Sequence, residues 1–233
     1  MDDDLLAEQR AFYRARAPHY DDWWQGRGRY HRGDEDTREW RRQVATVEAA
    51  LAAFDPAGDV LELAGGTGWW TERLARTAGR LTVLDAAAEA LALNRERVGR
   101  SDVEYVVADL FSWRPRRAFD VVFFSFWLSH VPRARVSPFW TFVRTCLAPG
   151  GRVFFIDNRT DPTPGIPGKD PYVVEYGPDL HVRRLDDGAE YRVVKVMYEP
   201  DQLGRLLEAE GWQASIDATK WFIFGSARPA GQR

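Results

Sequence analysis

DVLELAGGTGWWTERLA, residues 59 to 75, reads as a buried strand, a glycine-rich turn and then a helix. Val60, Leu61 and Leu63 make the strand apolar on both faces, the pattern of a parallel strand covered by helices on each side. Gly65, Gly66 and Gly68 let the backbone turn tightly and come close to a ligand, because a residue without a side chain tolerates positive φ. Trp70 to Ala75, with Thr71 and Glu72 in the opening turn, supplies a helix start whose free N–H groups face the loop. Glu62 stands inside the strand, so this is a nucleotide-sized corner with an acidic flank.

Outward from this corner, strands alternate with helical stretches, the pattern of an α/β fold with a parallel sheet. LTVLD (81–85) is a second strand followed by an alanine-rich helix over 87–98, and VEYVVAD (103–109) is a third. Phe119 to Phe126 is a fourth, whose continuous apolar run argues for a central position. A helix over 136–147 and the turn APGG (148–151) lead into RVFFID, the fifth. These strands end in Glu62, Asp85, Asp109, Ser125 and Asp157. Ligands of open parallel sheets bind beyond the carboxyl ends of the strands, so those ends converge on one crevice.

Residues 3–17 and 34–54 read as helices, separated by a segment from Pro18 to Gly33 too rich in glycine and aromatics to be regular. Residues 160–178 hold five prolines and three glycines and read as a loop. HVRRLDDGAEYRVVKVMY (181–198) reads as a β-hairpin turned at Asp187 and Gly188. A helix follows Pro200, and residues 212–227 return as an antiparallel strand pair. The expected organisation is one domain over 1–233, with a helical lid (1–54), a binding core (55–160), a loop and hairpin insertion (161–198) and a closing helix and strand pair (199–233).

Composition narrows the function. The chain has 233 residues, 45% of them hydrophobic, enough for one sizeable core. A net charge of −3 gives no electrostatic case for binding nucleic acid. Cys146 is the only cysteine, which excludes an internal disulfide and any multi-cysteine metal site. His19, His31 and His181 are scattered, and no spacing of histidines and carboxylates suggests a metal. The acidic start MDDDLLAEQR is unlike a signal peptide, and no apolar run approaches the roughly 20 residues of a membrane span. The expectation is a cytoplasmic monomer or homodimer acting on a small molecule, with neither nucleic acid nor membrane as partner.

Spacing then selects among ligands for the crevice. A dinucleotide fingerprint needs a third glycine where this chain has Thr71, which weakens a nicotinamide-dependent oxidoreductase reading. No Lys followed by Ser or Thr closes the glycine loop, which excludes a P-loop. Asp85, about 20 residues on, is placed to accept both ribose hydroxyls. Asp109 is placed to accept from an adenine amino group, and Glu62 from the amino end of a zwitterion. A ligand joining adenosine to an amino acid without phosphate suits this acidic set.

ELAGGTG resembles motif I of the class I S-adenosylmethionine-dependent methyltransferases, with Ala64 in place of its first glycine. VLD ending at Asp85, VVAD ending at Asp109, FDVVFFSFWLSHVP and LAPGGRVFFID are similar to the later motifs of that superfamily. The resemblance implies S-adenosylmethionine as cofactor and a Rossmann-like seven-stranded sheet whose last strand is antiparallel. It implies a cofactor site of Glu62, Ala64, Gly65, Gly66, Gly68, Asp85, Ala86, Ala108, Asp109, Leu110, Ser125 and Phe126. FYRARAPHYDDWW is similar to the substrate-side lid of the superfamily's small-molecule enzymes, where a tyrosine such as Tyr20 lies over the methionine portion.

The combination of Tyr30, an arginine in the hairpin's first strand and Lys195 in its second is similar to phosphonate O-methyltransferases of actinobacterial natural-product pathways. Alternation gives independent support, since Lys195 shares a face with Val193 and Met197 that is otherwise apolar. Arg183 shares that face with a three-residue turn and Arg184 with a two-residue turn. A convergent Arg and Lys suit a phosphonate, phosphate or carboxylate oxygen; positive charge protecting an edge strand is the alternative. His130, just past the fourth strand, could take a proton from a substrate hydroxyl or orient the following loop. The implied activity is O-methylation of an anionic or hydroxyl group. N-methylation of a small amine and a catalytically silent cofactor-binding module are the other readings.

Overall fold

The computed structural model of the chain describes residues 2–31, 33–159, 173–175 and 179–231. α1 (Asp2–Arg16), a 3-10 turn (Ala17–His19), α2 (Tyr20–Gln25), a second 3-10 turn (Gly28–Tyr30) and α3 (Asp34–Phe54) precede the first strand, β1 (Gly58–Leu63). Then come α4 (Trp69–Leu74), β2 (Ala78–Asp85), α5 (Ala88–Val98), β3 (Glu104–Val107) and β4 (Phe119–Ser125). A third 3-10 turn (Leu128–His130) and α6 (Arg133–Cys146) lead to β5 (Leu147–Asn158). The remainder is β6 (Val173–Glu175), β7 (Leu180–Arg184), β8 (Glu190–Val194), α7 (Pro200–Ala209), β9 (Trp212–Ala218) and β10 (Phe222–Pro229).

Seven strands form one sheet in the order β3-β2-β1-β4-β5-β10-β9. β1 to β5 are parallel, and β10 runs antiparallel to both its neighbours. The central strands are apolar on both sides because both sides are covered. Val121 and Phe123 of β4 join Val60 of β1 and Phe154 and Ile156 of β5 against α3 and α4. Val122 and Phe124 alternate to the other face, with Leu61, Leu63 and Phe155, against α6 and α7. In α3 the buried Trp40, Val44, Val47 and Leu51 recur at helical spacing, so one stripe faces the sheet. Each fully buried side chain of this size contributes roughly 1.5–3 kcal/mol.

Three expectations change in detail. The segment from Pro18 to Gly33 carries α2 and two 3-10 turns, because Trp23 and Trp24 lock onto Trp40 and Phe126 and hold local turns that composition alone disfavours. Within 160–178, read as a loop, Val173–Glu175 pairs antiparallel with β7. The hairpin is therefore one part of a three-stranded sheet, and the rest of that stretch lies outside the described residues. The hairpin turn is Asp186, Asp187 and Gly188, with Gly188 at φ +86, and Leu185 N–H donates to the Ala189 carbonyl at 2.9 Å. This three-residue turn sets Arg183 opposite Tyr191 and Arg184 opposite Glu190.

α1 lies across the small sheet. The Gln9 amide accepts from Val194 N–H at 2.9 Å and donates to the His130 carbonyl at 3.1 Å. The N-terminal helix thereby joins β8 to the turn after β4, above the carboxyl ends of the main sheet.

Candidate active site

β1, β2, β3 and β4 end at one cavity roofed by α1. Ala64, Gly66, Asp85, Ala86, Ala108 and Asp109 line it from the strand ends. Leu110, Ser125, Phe126 and Tyr20 complete that set, with Gln9, Arg10 and Tyr13 contributed by α1. Asp85 is held by the backbone, its two oxygens accepting Gly66 N–H at 2.9 Å and Ala87 N–H at 2.8 Å. Burial raises its pKa while those N–H groups oppose the rise. One Asp109 oxygen accepts from Phe111 N–H at 2.9 Å, and the other meets the Arg10 guanidinium at 2.8 Å, tying α1 to the end of β3.

The glycine turn is held from behind by Asn94 of α5, which is fully buried. Its amide donates to the Gly65 and Gly66 carbonyls at 3.3 and 3.2 Å and to the Thr71 hydroxyl at 2.7 Å. Gly65 and Gly68 line an adjoining hollow beneath the turn. A side chain at Gly65 would lie 2.3 Å from a Val83 methyl, and one at Gly68, where φ is +92, would strike Asn94. Ala64 adopts φ +54, a conformation that costs an L-residue about 1–2 kcal/mol. Phe126 at the end of β4 is likewise at φ +52.

Glu62, expected at the amino end of a ligand, lies behind the glycine turn. It is 1% exposed, does not line the cavity, and lies against the back of Gly65. Neither carboxylate oxygen has a hydrogen-bond partner. Burial pushes its pKa up to about 8, against the opposing influence of the nearby Thr71 hydroxyl and with a smaller upward push from Asp85.

A second cavity adjoins the first through Tyr13, Tyr20, Phe126 and His130, which line both. Its other walls are Arg16, Trp23, Asn158, Arg183 and Lys195. Lys195 is 3% exposed, and its ammonium donates to the Ser129 hydroxyl at 2.9 Å. Asp157, 2% exposed, accepts from Ser129 N–H at 2.8 Å. Burial raises the Asp157 pKa and the Lys195 charge works against that rise. The Arg16 guanidinium lies within 5.2–5.8 Å of the ring centroids of Phe12, Tyr20, Trp23 and Tyr30, and its buried Nε has no hydrogen-bond partner.

Three expected substrate residues are redistributed. Arg183 faces this cavity, whereas Arg184 is turned outward by strand alternation and paired with Glu190, away from this cavity. Tyr30 lines neither cavity. It is buried among Trp23, Trp24 and Trp40, with its ring 5.6 Å from the Arg16 guanidinium. His130 lines both cavities, but its ring nitrogens already have partners: Nδ1 is 2.7 Å from the Val194 carbonyl and Nε2 is 2.6 Å from the Tyr13 hydroxyl. Burial and the neighbouring Lys195, Arg183 and Arg16 charges hold its pKa well below the usual imidazole value, so it is neutral.

Side by side, then, are a largely apolar cavity with two carboxylates at its wall, Asp85 and Asp109, and a smaller pocket with three cations. Tyr13, Arg16, Asn94 and Asn158 belong to this arrangement and were not singled out by the sequence. Tyr13 and Arg16 had a signal, since both lie in the aromatic run FYRARAPHYDDWW; Asn94 and Asn158 depend on long-range packing. Among the described residues no group of three or more His, Cys, Asp or Glu could hold a metal, and no helix is long and apolar enough to cross a membrane.

Comparison with known proteins gives the family. A family described as a methyltransferase domain matches residues 60–151. The chain is 32% identical over 189 residues to demethylmenaquinone methyltransferase of Clavibacter sepedonicus, covering 76% of this chain and 73% of that one. It is similar along nearly its whole length to DhpI, solved as a complex with SAH and as a SAM–HEP complex. The identities are 36% and 37%, each with a TM-score of 0.79 and coverage of 97% of this chain and 98% of the other.

Proposed function

Because the chain belongs to the class I S-adenosylmethionine-dependent methyltransferases, we propose that it O-methylates a small anionic metabolite, a phosphonate or a carboxylate. The observation that carries the substrate class is the convergence of Arg16, Arg183 and Lys195 on the pocket beside the cofactor cavity. Three cations there would repel an ammonium substrate. Asp157, a buried carboxylate, accepts from Ser129 N–H, and the Lys195 charge works against the rise in its pKa. The name of the DhpI SAM–HEP complex, in which a second ligand accompanies the cofactor, is in keeping with a two-ligand site.

S-adenosylmethionine, the family's cofactor, supplies an electrophilic methyl on a sulfonium. Its recognition falls to the cavity residues. Asp85 is fixed by two backbone N–H groups and retains lone pairs for the ribose hydroxyls. Ala64 and Gly66 let the turn approach the ligand closely, with Asn94 keeping that turn in place. Ala86, Ala108 and Leu110 give apolar walls for the adenine, with Asp109 beside them. Arg10 carries positive charge into this cavity and is neutralised by Asp109, so the cavity suits a ligand without phosphate.

On the substrate side, Arg183 and Arg16 offer planar forks to acidic oxygens and Lys195 a point charge. An anionic oxygen is already a nucleophile, so the protein's task is alignment and exclusion of water rather than proton removal. His130 fits that scheme as the neutral group that fixes Tyr13, not as a base. The reading is tested by following methyl transfer from S-adenosylmethionine to matched phosphonates, carboxylates and primary amines. Acids are expected to be the better substrates, and an amine methylated with higher kcat/KM than any acid would overturn it.

A further inference from the structure

We propose that Asn158 is a specificity-determining residue that recognises a hydroxyl group next to the anionic group of the substrate, an inference that rests on the anionic-substrate reading above. Asn158 is the last residue of β5, 5% exposed, and lines the cationic pocket together with Arg16, Arg183 and Lys195. Its backbone N–H is spent on its own neighbour, donating to the Asp157 carboxylate at 2.7 Å. Its side-chain carbonyl oxygen is buried without a hydrogen-bond partner.

Buried amide oxygens are almost always paired, and leaving one unpaired costs about 1–3 kcal/mol. Unpaired polar groups that persist at a ligand pocket point to a partner supplied by the ligand. The pocket's chemistry says which partner. Its three cations are donors only and can satisfy acidic oxygens by themselves. Arg16, Arg183 and Lys195 offer nothing to a substrate group that must donate. A carboxamide accepts at one end and donates at the other, and rotation about its last bond exchanges the two, which matches a hydroxyl. An Asp in this place would repel the acid, and an apolar residue would ignore the hydroxyl. The selected substrate is therefore an acid carrying a hydroxyl on an adjacent carbon.

The test compares near-isosteric pairs. Hydroxymethylphosphonate and ethylphosphonate differ by OH against CH3, as do glycolate and propanoate. The wild-type enzyme should favour the hydroxylated member of whichever pair it methylates by about tenfold or more in kcat/KM. Asn158→Ala should bring that ratio near one by lowering turnover of the hydroxylated member alone. Asn158→Leu, closer in volume, repeats the test if the Ala variant does not fold, and calorimetric binding of S-adenosylhomocysteine reports an intact fold in each. A hydroxyl preference that survives both substitutions overturns the assignment, as does an equal loss on both members of the pair. Absence of any hydroxyl preference in the wild type overturns it while leaving the anionic-substrate reading standing. Turnover of neither pair overturns both.

Discussion

The Tyr13 hydroxyl lies 2.6 Å from His130 Nε2, while the opposite ring nitrogen of His130 lies 2.7 Å from the Val194 carbonyl. A carbonyl can only accept, so Nδ1 carries the proton and Nε2 must accept from Tyr13. The tyrosine is thus held in one orientation, and burial raises its own pKa further above the ordinary phenol value. The pair clamps the N-terminal helix to the turn after β4, at the wall common to both cavities. Tyr13→Phe and His130→Asn should each lower kcat/KM by roughly tenfold, the effect of one lost buried hydrogen bond, with S-adenosylhomocysteine affinity changed less than about threefold. The double variant should lose little more than either single one, because the two act as a unit. Losses that multiply in a steady-state double-mutant cycle would show that they act separately.

Arg183 and Arg184 provide an internal control for the proposed anion pocket. They are adjacent in sequence and opposite in direction, one lining the pocket and the other paired with Glu190 outside. Arg183→Ala should raise KM for an acidic substrate by about tenfold or more, the range expected for a charge-assisted hydrogen bond. Arg184→Ala should leave kcat and KM within about twofold, as exposed ion pairs contribute little. Lys195→Met should resemble Arg183→Ala and spare cofactor affinity. Equal effects of the two arginine variants would place the acid elsewhere.

Asp85 holds the turn and, in the proposed reading, also the cofactor. Its carboxylate accepts from Gly66 and Ala87 N–H groups, so its removal should loosen the loop as well as delete the proposed acceptor for the ribose. Asp85→Ala should raise the S-adenosylmethionine Kd by at least about tenfold, measured by calorimetry. Asp85→Asn, which keeps the shape and one acceptor oxygen, should fall between the two. A wild-type Kd in the Ala variant would remove Asp85 from the cofactor site.

How far these features could be read in the sequence depends on whether the signal was local. The strand Val60, Leu61 and Leu63 was legible because a run apolar on both faces has one common physical explanation, burial between helices. Asp85 was legible because a strand end followed by a turn places an acid at the crevice. Lys195 was legible as a charge in an apolar alternation, but the choice between Arg183 and Arg184 needed the three-residue turn that sets the register. The depth of Glu62 behind the glycine turn was not legible, because a strand's periodicity gives the face a side chain takes and not how deep it lies behind a neighbouring loop. Tyr13 and Asn94 could not be assigned, since their partners are 117 and up to 29 residues away and no spacing rule links them. Thr71 had been informative only as a missing glycine; in the fold its hydroxyl accepts from Asn94 and completes the brace of the turn.

Glu62 yields a prediction about stability rather than catalysis. Burial behind the glycine turn raises its folded pKa to about 8 from an ordinary value of 4.5. Below pH 4.5 the folded and unfolded chains both hold this proton, and it contributes nothing to the pH dependence. Between 4.5 and about 8 the unfolded chain releases the proton while the folded one retains it, so stability falls as pH rises through that window. Above it both forms are ionised and the loss levels off, at roughly 5 kcal/mol in total. Glu62→Gln has the same shape and no proton to release, and every other titrating group is common to both proteins. Urea denaturation at pH 5 and pH 8 should therefore show the Gln variant gaining stability relative to wild type as pH increases. Parallel pH profiles for the two proteins would mean that Glu62 is ionised in the fold at neutral pH, with a partner that holds its charge.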